Sequence, residues 1–180
     1  MTAYAAFLRA INVGGRNLVP MAELRAALEG LCCTDVRTLL QSGNAVFRTG
    51  ARSAASLERV LQAAVHERCG VDADCFCRDA AAWDALIAAN PFRAEAKRDP
   101  ARLALLLLDR PPAPRQVQAL RAAIVGRERI EASGRELYAV YPDGMGKSRL
   151  TLPLIEKSLG TRGTARNWNT VLKVAELLGE

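Results

Sequence analysis

The chain is 180 residues long, half apolar, 24% charged and 5% aromatic, with a formal net charge of +6. That balance excludes a disordered chain, a collagen-like repeat and a polytopic membrane protein. A chain of this length can bury about 70% of its unfolded surface without disulfide or metal staples, and its excess of base suits anionic partners.

Residues 1–9 show neither the basic segment nor the apolar core of a signal peptide, and the sequence carries five cysteines. An odd number of cysteines without a leader predicts reduced thiols and a cytoplasmic protein. Residues 4–9 read as a strand, followed by the loop Asn12-Val13-Gly14-Gly15-Arg16-Asn17. Pro20 suits the first position of a helix with Met21, Leu24, Leu28 and Leu31 on one face, and Gly30 is its stop. Strands over 35–40 and 45–48 flank Ser42-Gly43-Asn44, where glycine allows the positive φ of a tight turn. Ser53 is the expected cap of a second helix whose Leu57, Val60, Leu61, Ala64 and Val65 form an apolar stripe; Gly70 ends it. With a fourth strand at 74–78, the order is β-α-β-β-α-β, the ferredoxin-like arrangement.

Asp79 then caps a short helix with Trp83, Leu86 and Ile87 inward, broken at Asn90-Pro91. The polar, proline-bounded stretch 91–101 reads as a linker. The pattern resumes with a strand over 102–109 and a helix over 114–125 that uses Val117, Leu120, Ala123 and Ile124. Strands at 129–131 and 136–141 follow around Ser133-Gly134, then a helix over 152–159 with Gly160 beyond it. A last helix over 168–178 buries Trp168, Val171, Leu172, Ala175 and Leu178, capped by Asn167. The expected fold is therefore α+β: two ferredoxin-like (β-α-β-β-α) half-domains packed together, with a C-terminal helix. The expected boundaries are 1–90, a linker at 91–101, and 102–180, forming one compact unit. The longest apolar run, 103–108, is too short for a membrane span, and no membrane partner is expected.

Cys69, Cys75 and Cys77 with His66 lack the two separated ligand pairs of a zinc site, and Cys75 and Cys77 share one strand face as small core residues. No metal and no cofactor are assigned. The segment 144–173 holds six basic residues (Lys147, Arg149, Lys157, Arg162, Arg166, Lys173) against Glu156 alone, so any electrostatic footprint belongs there. Within it, Gly144-Met145-Gly146-Lys147-Ser148 lacks the first glycine of a Walker motif, so ATP hydrolysis is not expected, although Lys147 and Ser148 suit an anion. Gly14 and Gly15 permit a backbone nest that Arg16 could close over. Tyr4 and Phe47 are too few aromatics for an RNA-stacking sheet. Arg166-Asn167-Trp168-Asn169 at a helix start combines capping groups, a ring and a cation, a set suited to an anionic or planar ligand.

Four segments together, Ile11-Asn12-Val13-Gly14-Gly15, Met21-Ala22-Glu23-Leu24, Ser42-Gly43-Asn44 and residues 166–173, resemble the bacterial domain-of-unknown-function family 1697. The resemblance implies cytoplasmic proteins with a two-module α+β fold and no established activity. Ala10 stands where a glycine is usual, which narrows the loop's backbone options. Pro153 interrupts a segment usually written as helix and is expected to delay that helix.

The functional expectation is a binding protein for a phosphate- or carboxylate-bearing small molecule, in a cleft between the half-domains. Its candidate contacts are Asn12, Gly14, Gly15, Arg16, Ser42, Gly43, Asn44, Lys147, Ser148, Arg166, Asn167, Trp168 and Asn169. A nucleic-acid module using 144–173 is the second reading, and an enzyme of unassigned reaction the third, since no general base stands out. The competing account is that these residues only form turns and caps. Oligomeric state is left open.

Overall fold

The computed structural model describes residues 1–51 and 53–180. The chain separates into two compact units, Met1–Ala85 with Val174–Glu180, and Leu86–Lys173.

The first unit contains β1 (Thr2–Leu8), α1 (Met21–Gly30), β2 (Thr34–Leu39), β3 (Asn44–Thr49), α2 (Ala54–Cys69), β4 (Cys75–Asp79) and most of α3 (Ala80–Ala88). Its sheet runs β2-β3-β1-β4 with every neighbouring pair antiparallel. Successive side chains on a strand point to opposite faces. Tyr4, Ala6 and Leu8 of β1, with Ala45, Phe47, Cys75 and Cys77, accordingly share one core with Leu24 and Leu28 of α1 and Leu57, Leu61 and Val65 of α2. Phe7, on the opposite face, stacks on Trp83 of α3 with centroids 4.9 Å apart. Burying each such large apolar side chain contributes about 1.5–3 kcal/mol. Local signals act as expected at the helix ends. Ser53 accepts from Ser56 N at 3.3 Å, Gly70 takes the left-handed conformation (φ 66°), and Asp79 Oδ1 accepts from Ala82 N at 2.7 Å.

The second unit contains α4 (Arg93–Arg98), β5 (Leu103–Leu108), α5 (Pro114–Ala123), β6 (Arg129–Ser133), β7 (Glu136–Val140), α6 (Leu152–Leu159), β8 (Gly163–Asn167) and the start of α7 (Trp168–Gly179), whose end belongs to the first unit. Its sheet, β6-β7-β5-β8, repeats the order of the first and is again antiparallel throughout. Ala104, Leu106, Leu108, Leu137 and Ala139 form its core with Val117 and Leu120 of α5 and Ile155 and Leu159 of α6. The repetition extends to single hydrogen bonds. Leu8 N donates to Gly43 O and Arg9 N to Asp74 O, both at 2.9 Å; Leu108 N donates to Arg135 O at 2.8 Å and Asp109 N to Arg162 O at 2.9 Å. One difference breaks the likeness. The connection after the first strand covers residues 9–20 in the first unit but only 109–113 in the second.

Several expectations change. Residues 163–167 form β8, an edge strand whose mixed composition gives no apolar alternation, so the second half carries a fourth strand like the first. The stretch 91–101 contains α4 and a 3₁₀ turn, with Phe92 buried beneath the Arg129 guanidinium at 5.2 Å. Pro153 does not delay α6, which begins at Leu152; a proline in the first turn lacks only an N–H that would have no helical partner. Val60, Ala123 and Leu172 are exposed, and Val174 replaces Leu172 on the buried face of α7.

Candidate functional site

The β1–α1 connection is built from left-handed residues: Ala10, Asn12, Gly14, Gly15 and Asn17 have φ of 56°, 55°, 58°, 73° and 51°. Arg16 N donates to Val13 O and Asn12 N to Asn17 O, both at 3.1 Å, so residues 12–17 form a miniature hairpin. Gly14 and Gly15 are its two-residue turn, where positive φ at both positions matches the twist of the strands. That is a different geometry from an anion nest, which alternates right- and left-handed residues. The side chain of Asn12 fastens the hairpin to its surroundings. Its Oδ1 accepts from Val19 N at 2.9 Å, and its Nδ2 donates to Val19 O at 3.0 Å and Gln41 O at 2.8 Å.

The β2–β3 turn is fastened to the same place. Asn44 is buried and its Nδ2 donates to Leu39 O at 2.7 Å and Ser42 Oγ at 3.0 Å. Gly43 (φ 77°) lies so close to Ile11 that a Cβ there would stand 2.6 Å from Ile11 Cδ1. The structure therefore brings Asn12, Ser42, Gly43 and Asn44 together as one knot of turns, and leaves Gly14, Gly15 and Arg16 exposed beside it.

The remaining candidates lie in the second unit. Lys147 is exposed, while Ser148 Oγ donates to Glu128 and accepts from Leu150 N at 2.9 Å. Arg166, on β8, is 8% exposed and its Nη1 donates to Thr164 Oγ1 at 2.6 Å and Ala165 O at 2.8 Å. Asn167 donates to Ala101 O at 3.0 Å and accepts from Asn169 N at 3.0 Å, capping α7. Trp168 is buried and tilted against Tyr138 at 6.3 Å, and Asn169 is exposed.

One concave feature of the second unit escaped the sequence. A pocket of about 550 Å³ lies where the end of β5 meets the end of α6, lined by Asp109, Arg110, Glu156, Lys157, Thr161 and Arg162 among others. Arg110 is held at its mouth by two bonds, from its amide N to Thr161 Oγ1 at 3.2 Å and from Nη2 to Gly160 O at 2.5 Å. Glu156 Oε1 accepts from Gly163 N at 2.9 Å, which engages one of the two acids in the pocket. Lys157 is exposed and makes no ion pair among the described residues. The sequence signal was present in Gly160 beyond the helix end and the basic run around it, but Arg110 lies far away in the chain.

The thiols and aromatics have structural surroundings. Cys75 and Cys77 are buried with their sulfurs 3.8 Å apart, and the hydrogen bond between them, together with burial, pushes the Cys77 thiol well above its ordinary pKa. Among the described residues, no group of three His, Cys, Asp or Glu side chains could hold a metal ion. His66 Nδ1 meets Asp72 Oδ1 at 2.7 Å on the surface. Tyr4 and Phe47 are both in the core, so neither offers a stacking platform. No described helix is long and apolar enough to cross a membrane.

A family model described as "Protein of unknown function (DUF1697)" matches residues 1–138. Among solved structures, the conserved bacterial protein SP0830 from Streptococcus pneumoniae is similar, at 26% identity and a TM-score of 0.74, with 98% of each chain covered. No curated protein has significant sequence similarity to the chain.

Proposed function

The chain belongs to the DUF1697 family of proteins of unknown function, and from that premise we propose that it binds a small phosphate- or carboxylate-bearing molecule. The observation that carries this reading is the pocket where Lys157 and Arg162, from the most basic quarter of the chain, meet Arg110. Three cations around two acids, one of them engaged by a backbone amide, leave the cavity with an excess of positive charge. Its volume falls within the range of small-molecule sites, about 300–1,000 Å³. Arg110 supplies a planar donor fork suited to two anionic oxygens, and Lys157 a mobile point charge. The same reading takes the antiparallel β-α-β-β-α-β units as ferredoxin-like and the protein as cytoplasmic, which agrees with its five unbridged cysteines.

The test is calorimetric titration of the intact protein with inorganic phosphate, citrate and a nucleoside monophosphate. A charge-assisted hydrogen bond contributes about 1.5–3 kcal/mol, so Arg110→Ala and Lys157→Ala should each weaken binding roughly ten- to a hundredfold. The melting temperature should hold nearly constant for Lys157→Ala, because that side chain is exposed. Absence of binding by all three anions at low salt would remove the reading.

A second reading is favoured by the exposure of Lys147, Arg149, Lys157, Arg162 and Lys173, five of the six basic residues of 144–173. A duplex or single strand neutralised by these groups would be held with a steep salt dependence. Binding of an unspecific oligonucleotide that weakens with rising salt while the small anions fail to bind would transfer the conclusion to nucleic acid.

A further inference from the structure

We infer that the groove between α5 and β6 receives a loop of a partner protein in which a branched aliphatic residue precedes an asparagine. Ile11 and Asn12 supply that pair at the equivalent place in the first unit. The inference uses none of the residues of the anion pocket.

The two units correspond residue by residue. Phe7 pairs with Asn44 and Thr38 with Ala45 in the first sheet; Leu107 pairs with Glu136 and Ala132 with Leu137 in the second. Helices α1 and α5 each have ten residues, beginning at Met21 and Pro114. Thr38 therefore corresponds to Ala132, Arg25 to Gln118 and Val19 to Pro112. In the first unit, two side chains bridge the start of the helix and the β2–β3 hairpin. Arg25 Nη1 donates to Thr38 Oγ1 at 2.7 Å, and Asn12 Nδ2 donates to Val19 O at 3.0 Å and Gln41 O at 2.8 Å. Beside them the buried Ile11 packs directly against Gly43 of the turn.

The second unit has the same frame without that filling. Its connection covers only 109–113, against 9–20 in the first unit, and holds nothing in the place of Ile11 and Asn12. Gln118 is exposed and makes no hydrogen bond among the described residues, and Ala132 has no hydroxyl to receive one. What remains is a groove of about 300 Å³ lined by Pro111, Pro112, Pro114, Val117 and Ala132, with Gly134 at its hairpin end. Arg121 also lines it, but its Nη2 donates to Glu131 at 2.6 Å, so the lining offers an anion no unpaired cation.

These walls select the occupant. Their aliphatic surface favours an aliphatic side chain, whose burial removes apolar area from water. The carbonyl of Pro112 accepts no hydrogen bond among the described residues, whereas that of its counterpart Val19 is taken by Asn12. Pro112 has no N–H of its own to donate, so the incoming carboxamide acts there as a donor. The volume lies at the small end of ligand cavities, about 300–1,000 Å³, and suits two side chains of a loop. Three prolines fix the backbone of the groove, so little conformational freedom is lost when it is filled.

The test uses a synthetic peptide with the sequence of residues 9–19, capped at both ends and titrated into the intact isotope-labelled protein. Backbone amide chemical shifts are the readout. Saturable changes should appear at Val117, Gln118, Ala132 and Gly134. Ile11→Ala in the peptide should weaken binding at least tenfold and Asn12→Asp at least fivefold, because an ionised carboxylate has no proton for Pro112 O. Gln118→Arg/Ala132→Thr in the protein rebuilds the bridge of the first unit; it should abolish the shifts and leave the melting temperature unchanged or higher. Absence of saturable shifts at millimolar peptide overturns the inference. So do shifts centred on Val19 and Gln41, where the peptide would merely displace the loop it copies, and so does binding that survives in the double variant.

Discussion

Asn12 and Val19 exchange two hydrogen bonds, the carboxamide of one matching the peptide group of the other as a neighbouring strand would. The third bond of Asn12, to Gln41 O, carries that connection across to the β2–β3 turn. A single short side chain therefore substitutes for a length of sheet, holding a loop that has little of its own to bury. Only a carboxamide one methylene from the backbone offers both a donor pair and an acceptor at this reach.

Replacing Asn12 by Ala should destabilise the protein by about 1–3 kcal/mol, the cost of stranding partly buried amide and carbonyl groups. Asn12→Asp should cost more at neutral pH, because a carboxylate would face the carbonyl oxygens of Val19 and Gln41. Urea unfolding of the three proteins at pH 7 checks the order wild type, Ala, Asp. An Asp variant as stable as wild type would mean that the Nδ2 bonds contribute nothing.

Glycine substitutions should separate close packing from backbone conformation. Gly43→Ala meets Ile11 Cδ1 at 2.6 Å and Leu8 Cβ at 3.0 Å in addition to its positive φ, so its cost should exceed the roughly 1–2 kcal/mol of left-handed strain alone. Gly14→Ala, with open space around the new methyl, should show the strain alone. Ala10→Gly runs the other way. It relieves strain at φ 56° and adds unfolded-state freedom, for a net gain of roughly 0.5 kcal/mol. Thermal unfolding of the three variants gives the ranking directly.

How far these features could be read from the sequence depends on the range of the interaction behind them. Ser53, Gly70 and Asp79 act on their own helix ends, and the glycines at 43 and 134 act within their own hairpins, so each was legible locally. β8 was not, because Gly163-Thr-Ala-Arg-Asn167 becomes a strand only through its pairing with β5. The left-handed backbone of Ala10 and Leu40 contradicts local preference and is imposed by the knot between two distant turns. The same distance hid the pocket: Arg110 and Lys157 meet because Asp109 N bonds to Arg162 O. Asn12, Ser42 and Asn44 stood out in the sequence as polar groups in glycine-rich turns, a pattern that cannot show whether their hydrogen bonds close inward.

Alkaline pH should unfold the protein in a specific window. Burial, with Glu136 beside one and Glu128 beside the other, pushes the phenols of Tyr138 and Tyr141 from 10 up to about 12. Their hydroxyls donate to Leu86 O at 2.6 Å and Leu150 O at 3.2 Å, bonds that a phenolate cannot donate. A folded-state pKa above the unfolded value means folding holds the proton more tightly. The contribution is therefore complete below pH 10 and is lost as the pH rises from 10 to 12. Tyrosinate absorbance at 295 nm should stay low at pH 10 and rise together with the loss of helical circular dichroism. Half-ionised tyrosines at pH 10 in a folded protein would contradict this.

Thiol labelling should proceed in steps. Cys32 is exposed, whereas Cys33, Cys75 and Cys77 are buried, and burial pushes the Cys33 and Cys69 thiols upward. Reaction with a disulfide reagent at pH 8 should modify Cys32 first, with the buried thiols reacting only in denaturant. Cys32→Ser should abolish the fast phase. Rapid modification of Cys77 in the native protein would show that β4 opens far more readily than its packing implies.

Residues 174–180 belong to the first unit although they follow the whole of the second, and Leu178 is buried there. During synthesis, the ribosome thus produces the first sheet and its helices long before it produces the segment that completes them. The N-terminal half must wait, with part of its surface uncovered, while the C-terminal half is translated. Fusing a reporter after residue 173 would leave it in that waiting state permanently, so soluble yield at that length measures how well the nascent protein tolerates the delay.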